Sequence, residues 1–250
     1  MKRLIIIFVF FSGVSLMAQT PDSLFSKANR YFQKGNFEEA IHTYLEIDSL
    51  GYHSADLYYN TGNAYFRSNK LGKARLWYER AALLKPNDAD IRNNLAYTES
   101  LLTDRFDDVP HIFFVRWYNN LVSTLAPGTW TLISLVFFFV SVAGFMIYIF
   151  TRKVRFRRLG FYTGVVVFMA SMATLFFGFQ RDRQINKPGT AIIMSPSQTV
   201  KSAPRQSGKD LFVLHEGTKV RMDNVLNGWD EITISDGRKG WIPSSSLEEI

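Results

Sequence analysis

The 250-residue sequence contains no cysteine. That excludes disulfide staples, thiolate metal sites, a cysteine nucleophile and a lipid-modified cysteine behind a leader. It has no G-x-x-x-x-G-K-[ST] or G-x-G-x-x-G loop to cradle a phosphate, and no G-x-S-x-G elbow to raise a serine nucleophile. Its four histidines, His42, His53, His111 and His215, are not spaced as a metal pair. His42 and Glu46 stand four apart on a predicted helix, but a site needs further ligands and their supporting shell. No acid/base or nucleophile set can be assembled, so the expectation is a non-enzyme without a cofactor.

A phosphate-binding face is missing too, despite the formal net charge of +7. Residues 19–110 carry eleven Lys/Arg against thirteen Asp/Glu, and residues 181–250 carry ten against nine. The surplus sits at Lys2, Arg3 and Arg116 and at Arg152, Lys153, Arg155, Arg157 and Arg158, beside apolar segments. Charge placed there speaks of membrane orientation and argues against a nucleic-acid partner.

Long apolar runs are what the sequence does have. Lys2-Arg3, the run Leu4–Phe11 and a small-residue end at Ala18 read as a signal peptide over 1–18, with an uncleaved anchor as the alternative. Residues 130–150 and 159–179 are uncharged stretches of 21 residues, each long enough to span a bilayer. Between them, 151–158 hold five basic residues in eight, which places that loop in the cytoplasm and both flanking regions outside. Gly160 and Gly164, with Ala170, Ala173 and Gly178, either let the second span approach a neighbouring helix closely or are the glycines and alanines ordinary in membrane helices. Residues 111–126 are apolar at Phe114, Trp117, Tyr118, Leu121, Val122 and Leu125. That spacing predicts an amphipathic helix, lying in the membrane interface or docked on the domain before it.

The N-terminal region repeats. Ala28, Tyr31, Ala40 and Tyr44 recur 34 residues later as Gly62, Tyr65, Ala74 and Tyr78. A 34-residue period of paired helices has the spacing of tetratricopeptide repeats. Small residues let the two helices of a unit cross closely, and the tyrosines fill and cover the crossing. Units at 24–57 and 58–91 and a capping helix at 88–103, carrying Ala96, make a short solenoid over 22–105. At the other end, alternating runs from Ala191 to Ile242, separated by Glu216-Gly217, Asn227-Gly228 and Asp236-Gly237, predict a small closed all-β barrel over 188–247.

Residues 22–103 resemble tetratricopeptide repeats. Residues 190–247 resemble bacterial SH3 domains through Leu214-x-x-Gly217, Asn227-Gly228-Trp229, Asp236-Gly237 and Gly240-Trp241-Ile242. The order of leader, repeats, two spans and SH3-like domain resembles the BatE component of the Bacteroides aerotolerance operon. That resemblance implies an inner-membrane scaffold in oxygen or envelope-stress tolerance, beside von Willebrand A-domain membrane proteins and a MoxR-type ATPase. The tetratricopeptide resemblance implies a peptide groove on the first helices of the repeats, with candidates Asn29, Tyr59, Asn60, Asn63, Phe66, Arg67, Asn94 and Tyr97; the aromatics Phe25, Phe32 and Tyr97 are either groove contacts or packing within the solenoid. Amides can bond a peptide backbone in both directions, and rings supply apolar area at low entropic cost. One branch of the family grips a free carboxylate with two Asn and three basic residues. Asn29 and Asn60 match the Asn, but Phe25, Asp90 and Asn94 occupy the basic places, so this groove is not expected to read free carboxyl termini. In the SH3-like region Trp229 and Trp241 are either core or the walls of a cleft, for a protein segment or for peptidoglycan.

Overall fold

The computed structural model describes residues 20–106, 113–186 and 189–250; the expected signal peptide and the break at Asp107–Pro110 lie outside them. The described residues begin with two antiparallel helix pairs, α1 (Pro21–Gln33) with α2 (Phe37–Ser49) and α3 (Ala55–Arg67) with α4 (Leu71–Leu84), followed by α5 (Ala89–Leu101). Thr20, Ser54 and Asp88 cap the first helix of each unit by accepting backbone N–H bonds, as short polar side chains do at a helix start. The 34-residue repeat in sequence is a repeat in packing. Ala28, Ala40, Ala64 and Ala74 are fully buried, with Tyr44 and Tyr78 seated over the crossings. A Cβ on Gly62 would stand 2.6 Å from the Tyr78 ring, so the second crossing closes only around glycine.

The solenoid stops at α5 because its outer face turns polar. Tyr58, Tyr59 and Phe66 become, 34 residues on, Arg92, Asn93 and Ser100, all exposed. Ala96, the third small residue of the series, is exposed as well, with no following helix against it among the described residues. A polar outer face is what a capping helix needs.

Helix α6 (Phe113–Ser123) makes its main contacts outside the repeat. It rests on an apolar hairpin of α7 (Pro127–Phe150) and α8 (Val154–Asn186). Val122 is buried there, its carbonyl accepts from Trp130 Nε1 at 3.0 Å, and Tyr118 meets Phe177 edge-on. Phe113, Phe114 and Trp117 stay exposed. Both hairpin helices are long and apolar enough to cross a membrane. Their seam is built from small residues. Gly144 lies against Gly160 and Gly164, where a Cβ on Gly160 would come within 2.7 Å of the Gly144 carbonyl oxygen. Ser141 donates to the Gly164 carbonyl at 2.8 Å, and Ser134 and Ser171 each donate to the other's carbonyl at 2.9 Å. Gly160, Gly164, Ser171 and Gly178 are the seam of α8, while Ala173 faces outward.

Element boundaries differ from the sequence expectation: α7 starts at Pro127 and not at 130, and α6 ends at Ser123 and not at 126. α8 starts at Val154, so three of the five basic residues of 151–158 stand on the helix and the connection shrinks to 151–153. It also continues past 179 to Asn186, because no proline or glycine from Arg181 to Asn186 opposes a helix.

The C-terminal region is one antiparallel sheet of seven strands: β1 (Thr190–Ile193), β2 (Ser197–Lys201), β3 (Asp210–His215), β4 (Lys219–Leu226), β5 (Trp229–Thr233), β6 (Lys239–Pro243) and β7 (Leu247–Glu249). The order is β3-β2-β6-β5-β4-β1-β7. The expected closed barrel is therefore corrected: β3 and β7 end the ladder without pairing to each other. The β7 edge is covered instead of closed, because Arg80 of α4 donates to the Glu249 carbonyl at 2.6 Å. Ala191, Ile193, Val200, Leu214, Val220, Ile232, Ile234 and Ile242 form the core. Ile192, on the alternate side of β1, is equally buried, since β1 also contacts α4.

That contact makes the repeat and the sheet one folded body. Arg75, Glu79 and Leu83 recur every four residues along one stripe of α4. Arg75 Nη1 donates to the Gly217 carbonyl at 2.9 Å and also pairs with Glu99; Lys219 Nζ donates to Glu79 at 2.7 Å; the Leu83 carbonyl accepts from Arg181 of α8 at 2.6 Å. After α5, Asp104 accepts from the His215 backbone N–H at 2.6 Å and the Thr218 hydroxyl at 2.7 Å, and its other oxygen lies 2.8 Å from His215 Nδ1. Gly217, at φ +88°, lets the turn press onto Leu102, where a Cβ would meet a methyl at 2.6 Å.

Candidate functional site

The first helices of the three units, α1, α3 and α5, present a common face, and the asparagines on it are joined to the tyrosines beneath. The Tyr44 hydroxyl donates to Asn29 Oδ1 at 2.5 Å, and Asn60 Nδ2 approaches the same oxygen at 3.4 Å. One unit on, the Tyr78 hydroxyl donates to Asn63 Oδ1 at 2.7 Å and Asn94 Nδ2 to that oxygen at 3.0 Å. Each member of the second set stands 34 residues after its counterpart in the first. Asn94 Nδ2 also donates to the Tyr59 hydroxyl at 2.9 Å. Burial pushes the Tyr44 phenol up to about 12 and raises Tyr78 as well, so both remain protonated donors across the neutral range.

Above the second set lies a cavity of about 210 Å³ lined by Phe32, Asn63, Phe66, Arg67, Tyr78, Asn94 and Tyr97. Phe66 and Tyr97 meet at 5.7 Å between ring centres, and Tyr97 is 59% exposed. The Arg67 guanidinium lies over the Phe37 ring at 5.0 Å and pairs with no carboxylate among the described residues. The cavity thus offers aromatic walls, an amide floor and one cation at its mouth.

The structure brings Asn29, Tyr59, Asn60, Asn63, Phe66, Arg67, Asn94 and Tyr97 onto this single face. Phe25 and Phe32 sit partly in the repeat core, Phe25 tilted against Tyr44 at 5.9 Å. Asp90 is exposed. Sequence reasoning missed Tyr44 and Tyr78 as part of the site, because their apolar rings already had a packing role. The available signal was the Asn–Tyr spacing of 15 residues, occurring twice at the repeat period.

On the sheet, Trp229 and Trp241 are half-buried and belong to neighbouring strands, with Glu231 opposite Trp241 and Pro243 opposite Trp229. Their outward face is set by alternation: Asp230, Ile232 and Ile242 point inward and are buried. Neither Trp is core. A second cavity of about 240 Å³ lies in the seam between repeat and sheet, lined by Leu71, Leu102, Thr103, Pro196, His215 and Glu216 among others. His42 and Glu46 are both exposed, and no group of three or more potential metal ligands clusters among the described residues.

A family model described as TPR repeat matches residues 62–98, the end of α3, all of α4 and most of α5. No curated protein matches the chain significantly. The helical region is thus tetratricopeptide-like, a class of protein-interaction scaffold.

Proposed function

We propose that this chain is a non-enzymatic membrane scaffold that captures an extended segment of another envelope protein in its repeat groove. The observation that carries the reading is the pair of Asn–Tyr–Asn sets, the second of them lying beneath an aromatic-walled cavity. Each holds its carboxamides rigidly from below, which lowers the entropic cost of presenting them to a ligand. The hairpin α7–α8 would cross a bacterial inner membrane with the basic turn in the cytoplasm, leaving the repeat and the sheet on the outer side. The order of parts, and the SH3-like reading of the sheet, fit a BatE-like role beside von Willebrand A-domain proteins in oxygen or envelope-stress tolerance. Crosslinking in intact membranes tests this: an envelope protein should be captured by the wild-type chain and lost with Asn60→Ala. Equal capture by both chains refutes the groove reading.

A second reading, a cell-wall sensor, draws on Trp229 and Trp241 sharing one face with Glu231 between β5 and β6. Flat rings beside a carboxylate acceptor suit a glycan or wall peptide. Sedimentation of the full chain with purified sacculi, abolished by Trp229→Ala, would support it; no sedimentation would dismiss it.

A further inference from the structure

The bonds along the stripe of α4 measure where the sheet stands over the apolar hairpin. Arg75 is bonded to the Gly217 carbonyl, Glu79 to Lys219, and the Leu83 carbonyl to Arg181 of α8. Four residues of helix rise about 6 Å, and two residues of strand about 6.6 Å. Strand β4 therefore runs beside α4 in the same direction, toward the end where α8 docks. Arg221, opposite Thr190 of β1, comes level with Arg181. The Met222 N–H then reaches the Gly189 carbonyl at 2.9 Å, three residues after the end of α8.

The β4–β5 hairpin continues past that level. Arg221 is paired with Thr233 and Leu226 with Trp229, so the turn lies four residues of β5, about 13 Å, farther on. Along α8 the apolar run ends at Phe179, two residues or about 3 Å from Arg181. The turn thus hangs beyond the point where α8 becomes apolar.

Its composition suits that place. Residues 224–229, Asn-Val-Leu-Asn-Gly-Trp, carry no charge. Val225 is 64% exposed and Leu226 47%. Leu226, Trp229 and Pro243 stand opposite one another on β4, β5 and β6 as an apolar row. Asp230, next to Trp229, faces inward and is buried, while Arg221 and Lys239 are tied back to Asp223. Helix α6 rests on Trp130 and Phe177, at this same end of the hairpin, and leaves Phe113, Phe114 and Trp117 exposed. Tryptophan favours the boundary between headgroups and acyl chains.

We infer that the β4–β5 turn dips into the outer leaflet of the bilayer that the α7–α8 hairpin spans. Val225 and Leu226 enter the acyl boundary, and Trp229 stands at headgroup level. The partner of this surface is lipid, and the inference rests on the reading of α7 and α8 as membrane spans.

The cysteine-free sequence makes single spin labels unambiguous. The full chain in phosphatidylethanolamine/phosphatidylglycerol nanodiscs is labelled at Leu226→Cys, Val225→Cys, Ser235→Cys on the exposed β5–β6 turn, or Met169→Cys on the outward side of α8. Collision with oxygen and with a water-soluble nickel chelate reads depth. The labels at 225 and 226 should lie about 5–10 Å below the headgroup surface, and the label at 235 in water. If 225 and 226 are as open to nickel as 235 while 169 is in lipid, the inference fails and the spans stand. If 169 is open to nickel as well, the membrane reading fails and takes the inference with it. Labels at 225 and 226 that leave water only when purified sacculi are added would assign the turn to the cell wall and overturn the inference.

Discussion

Asp104 is the residue whose loss should separate the repeat from the sheet. Its carboxylate side chain is only 11% exposed and lies within hydrogen-bond distance of His215 twice and Thr218 once, across 111 and 114 residues of sequence. Asp104→Ala leaves the His215 N–H and the Thr218 hydroxyl without their acceptor. A buried group left unpaired costs about 1–3 kcal/mol, and His215 is partly open to water, so about 2–4 kcal/mol in total is expected. Urea unfolding of the full chain in detergent micelles, followed by tryptophan fluorescence and by helical circular dichroism, reads this. Coincident transitions in the wild type should split in the variant, with the fluorescence of Trp229 and Trp241 changing first. The pH dependence has a definite sign. Burial alone would raise the Asp104 carboxyl, but hydrogen bonds from Thr218 and His215 outweigh it and hold the group below its ordinary value. A depressed carboxyl stabilises above its unfolded value and loses that contribution as pH falls through the folded one, so the seam should weaken in acid, below about pH 4. Transitions that stay coincident in Asp104→Ala, with a shift under about 0.5 kcal/mol, would refute the single-body account.

Other consequences are equally open to measurement. Gly62→Ala puts a methyl against the Tyr78 ring and should destabilise the repeat by about 1–3 kcal/mol in the same unfolding assay. Ser134→Ala removes one reciprocal bond with Ser171 in the apolar hairpin; steric-trap unfolding in bicelles should register a loss of about 0.6 kcal/mol. Because Asp90 stands where a carboxylate clamp needs a cation, a peptide with a free terminus should bind within tenfold of its amide. Isothermal titration of the pair decides it, and a larger preference for the acid would overturn the expectation that this groove does not read free carboxyl termini.

The repeat was legible because its constraints are local. Ala28, Gly62, Tyr44 and Tyr78 advertise a helix crossing at a fixed period, and the structure puts them there. The glycine spacing of α8 was legible for the same reason. Less visible was the sheet's extent. β2 (Ser197–Lys201) is mostly polar, β7 has three residues, and β4 runs through Asp223-Asn224 across a register shift that disguises its alternation. The seam between the two folded regions left no sequence trace. Arg75, Glu79 and Arg80 look like ordinary solvated helix residues, and their partners on the sheet lie 140 or more positions away. The groove was half legible: its asparagines stood out, but their fixed orientation depends on tyrosines that packing had already explained.

The clasp around α4 also bears on how such a protein can diversify. Solenoids ordinarily change reach by duplicating units, and each duplication needs a free end on which the next helix pair can stack. Here the far end is polar at Arg92, Asn93 and Ser100, and the stripe behind it is held by Arg181, Lys219 and the turn at Gly217. A unit inserted between α4 and α5 would pull Asp104 away from His215. Growth of the binding surface is therefore steered to the α1 side, away from the hairpin. Lineages sharing this clasp should vary in repeat number at that end alone.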